Sequence, residues 1–239
     1  MRSAGVAAAD LASSDDFKAK SRGLNRAKRN ANDGVSLAQT ADGALKEIGG
    51  MLGRMRELAV QSATGTVNAD QRVYLDDEFA QLKSEIDRLA ATTEFNGISL
   101  LDGSSAAAPV DFQVGSGNSA DDRLTLTIAT ATTTAFAVND NGVSTSAKAL
   151  SSISALDAAI SAVSSRRGTI GAMQNRLSVT ISNLGTYATN LSAANSRVVD
   201  VDIASETAQL TKTQILSQAG ASMLAQANQS PQIALSLIG

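Results

Sequence analysis

Between Leu24 and Ser62, steps of alternately three and four residues land on Leu24, Ala27, Ala31, Gly34, Ala38, Ala41, Leu45, Ile48, Leu52, Met55, Ala59 and Ser62. All are apolar or small, and no charge interrupts the series. A sustained heptad stripe of this kind predicts one long helix supercoiled on a partner. At 1.5 Å per residue it would run roughly 60 Å, more than a compact domain of this size needs. Such a helix cannot bury its stripe alone, so its stability must come from a second long element. Residues 1–20, rich in Ala, Ser and Asp with weak periodicity, predict a partly helical lead-in.

The long helix is expected to close at Ala63-Thr64-Gly65-Thr66, with Gly65 as a C-cap. Asn68 and Gln71 then have the spacing of a capping box opening a second helix. Its seam runs Leu75, Phe79, Leu82, Ile86 and Leu89, and the short connection makes it an antiparallel neighbour of the first. Being about half as long, it leaves the lower part of the first helix uncovered. The carboxylates Asp76, Asp77 and Glu78 fall on this helix and read as a solvated face.

From Glu94 to about Leu150 the pattern changes. Asn96-Gly97 and Asp102-Gly103 are turn signals, and Val110 to Val114 and Leu124 to Ile128 alternate as half-buried strands do. Ala135–Val138 and Val143–Thr145 flank Asn139-Asp140-Asn141-Gly142, which predicts a hairpin. The Ala/Thr run from Ala129 to Ala135 reads as an exposed connection. The whole segment predicts a small β subdomain.

Helical periodicity then returns through Ile153, Leu156, Ile160, Val163, Arg167, Ile170, Gln174, Leu177, Ile181, Leu184, Ala188, Leu191, Asn195 and Val198. This is the missing long partner. Arg167, Gln174 and Asn195 either fix register as buried polar positions or are carried to the surface by helix drift. A last amphipathic segment, Ile215 to Ala227, precedes Pro231 and the apolar tail Ile233 to Ile238. The fold class is therefore mainly α: a long antiparallel coiled-coil-like helical bundle with a small inserted β subdomain. Its parts are residues 1–93 (N-terminal arm), 94–150 (β insert), 151–200 (long C-terminal helix) and 201–239 (terminal helix and tail).

Composition narrows the function. Hydrophobic residues make up 43% of the chain but aromatics only 3%, with no Trp, which suits tightly packed helices. A net charge of −3 gives no reason to expect nucleic acid as a partner. The basic run Arg22 to Arg29 is flanked by Asp15, Asp16 and Asp33 and reads as a solvated helix start. The absence of Cys and His removes disulfides, thiol nucleophiles, Ser-His-Asp triads and Cys/His zinc sites. Asn139 to Gly142 lacks the remaining ligands and the distal Glu of a calcium loop. No catalytic site, cofactor site or metal site is expected. No apolar run approaches the ~20 residues of a membrane span, and the first residues lack the apolar stretch of a secretory signal.

Several stretches resemble bacterial flagellin: Arg54-Met55-Arg56-Glu57-Leu58-Ala59-Val60-Gln61, Glu94-Phe95-Asn96-Gly97, Gly171 to Leu177, Ala193 to Arg197, and Met223 to Gln229 with Pro231-Gln232 after it. The resemblance spans the chain except the β insert. It implies a structural subunit of the flagellar filament, assembled with copies of itself, exported through the flagellum's own apparatus and located outside the cell. In that family an export chaperone grips the C-terminal helix; here the corresponding positions are Ile215, Leu216, Ala219, Met223, Leu224 and Ala227, which would also serve the filament core. Family members begin with several dozen further residues that pair with this helix, and Ser3 to Ala8 is apolar where flagellins usually carry acids. Without that partner, residues 201–239 are expected to be disordered or chaperone-bound in the monomer.

The Arg54 to Gln61 stretch supports two roles. Met55 and Ala59 lie on the seam, whereas Arg54, Arg56, Glu57 and Leu58 point to other faces and could meet neighbouring subunits. The resemblance adds a second role: recognition of the monomer by an innate immune Toll-like receptor, through Arg54, Leu58, Gln61 and Glu78. A flagellin-like surface protein that binds polysaccharide as an adhesin is the alternative, and the scarcity of aromatics (two Tyr, five Phe) weighs against it.

Overall fold

The computed structural model describes residues 4–104, 109–200 and 203–238, with side chains described from 11 to 227 within those ranges. Four long helices carry the fold: α1 (Ala4–Ala63), α2 (Ala69–Thr92), α3 (Ser146–Val199) and α4 (Ile203–Ile238). Two small antiparallel pairs lie between α2 and α3: β1 (Glu94–Phe95) with β2 (Ile98–Ser99), and β3 (Val110–Gln113) with β4 (Arg123–Leu126). The chain divides into two compact units, one of residues 17–192 and one of residues 1–16 with 193–239.

In the larger unit all twelve expected seam positions of α1 are buried, from Leu24 to Ser62. Fully burying a Leu, Ile or Met side chain contributes about 1.5–3 kcal/mol, and Leu45, Ile48, Leu52 and Met55 are all without exposed surface. α3 runs antiparallel to α1. Leu24 and Ala27 cluster with Leu184 and Leu191, Asp42 pairs with Arg167, and Arg56 pairs with Asp157. The second helix opens on the expected capping box, with Asn68 Oδ1 accepting from the Gln71 amide at 2.8 Å and Gln71 Oε1 accepting from the Asn68 amide at 3.1 Å. Phe79 and Ile86 are buried, and Leu75, Leu82 and Leu89 pack partly buried against the same core.

The α3 seam is rotated from its expected course. Ser152, Leu156, Ala159, Val163, Ile170, Met173 and Leu177 are buried, while Ile153, Ile160 and Ile181 are partly so. A straight helix drifts about 20° per heptad, and α3 packs against the irregular segment after β4 as well as α1, so its buried stripe is broad. Arg167, Gln174 and Asn195 are half-buried at the edge of that stripe. Arg167 reaches across to Asp42 with two bonds of 2.7 and 3.3 Å.

Several expectations change, and the Ala129 to Ala135 run is not the exposed connection it reads as, since Ala131 and Thr133 in it are fully buried. Gly65 does not take the left-handed conformation of a C-cap; Arg72 of α2 satisfies the end of α1 instead, donating to the carbonyls of Ser62 at 2.9 Å and Thr64 at 3.0 Å. The hairpin expected around Asn139–Gly142 does not form. Residues 130–145 instead make a strap along α2. Asp87 accepts from the Thr133 amide (2.8 Å) and hydroxyl (2.7 Å), Lys83 donates to the Asn139 (2.9 Å) and Asn141 (2.8 Å) carbonyls, and Asp76 accepts from the Val143 amide at 2.5 Å. Asp76 is thus half-buried rather than part of a solvated face. Backbone groups with a strong side-chain partner have no need of a sheet ladder. The Asn96-Gly97 turn does form, with φ of 51° and 76°, the two positive values a tight hairpin requires.

In the other unit, the segment expected to be disordered or chaperone-bound in the monomer forms helix α4, and every described side chain from Ala204 to Ala227 is exposed. The side chains of the tail Ile233 to Ile238 and of Ser3 to Ala8 lie outside the described residues.

Two outcomes follow for the larger unit. Leu45→Ala should lower the unfolding free energy by about 2–5 kcal/mol in urea titrations, whereas Lys46→Ala, exposed one residue further on, should change it by under ~0.5 kcal/mol. Asp87→Ala should free the strap, seen as faster proteolytic cleavage between residues 130 and 145 with the far-UV helical signal retained.

Candidate interaction surface

The exposed band around Arg54 is built where α1 is flanked by α2 on one side and α3 on the other. Residues 54, 57 and 61 share one face of α1 at helical spacing. Arg54 donates from Nε to Glu78 Oε1 of α2 at 2.8 Å and from Nη1 to Glu57 Oε2 at 3.0 Å. The hydrogen bond to Glu78, then that to Glu57, raises the guanidinium pKa above its ordinary value. Arg56 turns to the other side, where its Nε lies 2.5 Å from Asp157 Oδ1 of α3, and that bond raises its pKa likewise. Exposed pairs add little stability. Here they hold two long side chains in defined positions, one across each helix junction.

Of the six residues singled out at this band, Arg54, Arg56, Glu57, Gln61 and Glu78 are exposed, and Leu58 is not. Leu58 has no accessible surface and belongs to the core with Met55 and Ala59. The expectation that it points outward fails because α1 here packs against two helices, which requires a stripe wider than a strict heptad seam. Asp157 was not anticipated as a member, since nothing in its local sequence marks a carboxylate that meets an arginine 101 residues away. Val60, Val73 and Tyr74 are also exposed at this end of α1 and α2, at 47%, 53% and 73%.

The second surface is α4. Ile215, Leu216, Met223 and Leu224 are 61–73% exposed, and Ala219 and Ala227 are exposed too. Ile215 and Leu216 line a shallow groove of about 590 Å³ with Ala204, Ala208 and Thr211. An exposed apolar strip of this length is a candidate interaction surface. Among the described residues no group of His, Cys, Asp or Glu could hold a metal ion, and no helix is long and apolar enough to cross a membrane.

Comparison with known proteins bears on the family and the fold. Residues 1–106 match the bacterial flagellin N-terminal helical region, and residues 153–238 match the bacterial flagellin C-terminal helical region. The chain is 46% identical to a flagellin of Halalkalibacterium halodurans over 98% of its own length and 86% of the relative's. It is 41% identical to the flagellar filament 33 kDa core protein of Treponema phagedenis, with the same coverage of 98% and 86%. Among solved structures, it resembles Bacillus cereus flagellin with a TM-score of 0.58 at 37% identity, covering 70% of this chain and 94% of that one. A putative flagellar hook-associated protein of Vibrio parahaemolyticus shares the fold at a TM-score of 0.64 and 12% identity, covering 77% of this chain and 95% of that one. With both helical regions matched and such identity over nearly its whole length, this chain belongs to the bacterial flagellin family, whose members are structural subunits of the extracellular flagellar filament and not enzymes.

Proposed function

We propose that this flagellin, before it enters the filament, is bound by an export chaperone on α4 and can be recognised as a monomer by an innate immune Toll-like receptor at the Arg54 band. The observation that carries the first part is the exposure of Ile215, Leu216, Met223 and Leu224 along one helix. Apolar residues spaced this way suit a partner that lays a groove over a helix face. In the filament other copies of the chain take over that covering role. The receptor reading rests on the exposed, pre-oriented Arg54 with Glu57, Gln61 and Glu78 beside it. The burial of Leu58 makes it a support of this band, not a contact.

Electron microscopy of concentrated protein, with and without filament seeds, should show fibres of regular diameter. Leu216→Asp together with Leu224→Asp should prevent them and weaken chaperone binding at least tenfold by calorimetry. Fibres and chaperone affinity both unaffected by that pair would remove α4 from the interface. Arg54→Asp should sharply reduce signalling in receptor-expressing reporter cells with the melting temperature nearly unchanged, and unaltered potency would dispose of the receptor reading. Leu58→Ala, by contrast, should lower stability by about 2–5 kcal/mol through the cavity it leaves.

A further inference from the structure

Glycine is a poor helix former because it loses more backbone freedom on ordering than any other residue. A glycine inside a long helix therefore calls for a reason, and close packing is the usual one. At Gly34 that reason is visible: an added Cβ would lie 3.2 Å from both Leu177 and Phe112. At Gly43, Gly50 and Gly53 of α1, and at Gly168 and Gly171 of α3, an added Cβ would meet nothing within 4 Å. Packing within the chain does not account for these five.

They are not scattered. The Asp42–Arg167 ion pair sets Gly43 beside Gly168 on neighbouring helices, and Gly49 opposite Val163 continues the same register upward, with 3.5 Å between a Gly49 Cβ and Val163 Cγ1. The two stretches meet at Gly43 and Gly168; from there Gly50 and Gly53 continue along α1 toward the Arg56–Asp157 pair, and Gly171 continues along α3 in the other direction. The seam through this level stays apolar and closed: Ala41, Leu45, Ile48 and Leu52 have no exposed surface. The glycines thus leave the side chains that hold the helices together undiminished.

We infer that residues 43–53 of α1 and 168–171 of α3 form a compliant zone, in which the rod bends or locally loosens its helical hydrogen bonds without separating its helices. This goes beyond assembly and receptor binding and depends on neither. A rod of uninterrupted alanine at those positions would have the same seam and be stiffer.

Amide hydrogen exchange of the full chain, read by mass spectrometry, tests it. In the parent protein, peptides covering 43–57 and 168–175 should exchange at least tenfold faster than seam turns at 27–38 and 177–184. Combining Gly43→Ala, Gly50→Ala and Gly168→Ala should slow exchange selectively in those peptides. The melting temperature should rise by several degrees, since each ~1 kcal/mol shifts a domain of this size by about 2–4 °C. Gly34→Ala is the contrasting variant, expected to raise the melting temperature less than the triple variant, because Leu177 and Phe112 at 3.2 Å must shift to admit its Cβ. Uniform exchange along α1 in the parent overturns the inference. So does a triple variant that alters self-association but leaves the local exchange rates as they were, because the glycines would then serve close approach of a second copy.

Discussion

Everything in the larger unit depends on how closely α1 can approach what packs on it, and side-chain size along one seam sets that distance. In its lower part the seam is Ala27, Ala31, Gly34, Ala38 and Ala41, all buried. The absence of a Cβ at Gly34 leaves room for Phe112 of β3 and Leu177 of α3 at the same point. Higher up the seam changes to Leu45, Ile48, Leu52 and Met55, which share a core with Phe79 and Ile86 of α2. Small residues thus admit a strand and a helix together, while larger ones fill the space among three helices. Interiors pack at crystal-like density, so exchanging the two halves of the seam would leave voids in one and clashes in the other.

Polar groups play a different part. Asp76, Lys83 and Asp87 occupy one long flank of α2, and each binds backbone of the strap. On the opposite side of the strap, the Arg166 guanidinium of α3 stacks 4.4 Å above the Phe136 ring and donates to the Thr130 carbonyl. The strap has almost no regular structure; its backbone groups are satisfied partly by turn bonds within it, such as Val138 N–H to the Thr133 carbonyl, and partly by side chains from helices on either side. A segment without a ladder can be held in one conformation when the donors and acceptors around it are fixed.

The long helices, the seam of α1, the capping box at Asn68 and the Asn96-Gly97 turn were all legible in the sequence, because each rests on residues a few positions apart. What was not legible depends on long-range meetings. The strap was misread as a hairpin because Val143 alternates correctly, and nothing nearby reveals that Asp76, 67 positions earlier, takes its amide. Leu58 was misplaced for a similar reason: a heptad reading assigns one neighbour to α1, and at that level it has two. The drift of α3 toward Ala159 and Met173 has the same origin, a second packing partner that local spacing cannot disclose.

α4 presents the contrasting physical problem. Its 36 residues include Gly220 and Pro231 in the interior, both unfavourable there, and its described apolar side chains face solvent. Helices in water gain most of their stability from burying a face, not from propensity. Burial that stabilises α4 has to come from contacts beyond those its described side chains make in this chain, so its ordering free energy and the free energy of those contacts are linked. The larger unit buries most of its apolar side chains in its own core and carries paired charges such as Arg54–Glu78 and Arg56–Asp157 on its surface. Weak polar contacts on a preformed rod favour specificity of register, while strong apolar contacts on an uncovered helix favour affinity. A filament subunit can draw on both, and this chain keeps its paired charges and its uncovered apolar strip on separate helices.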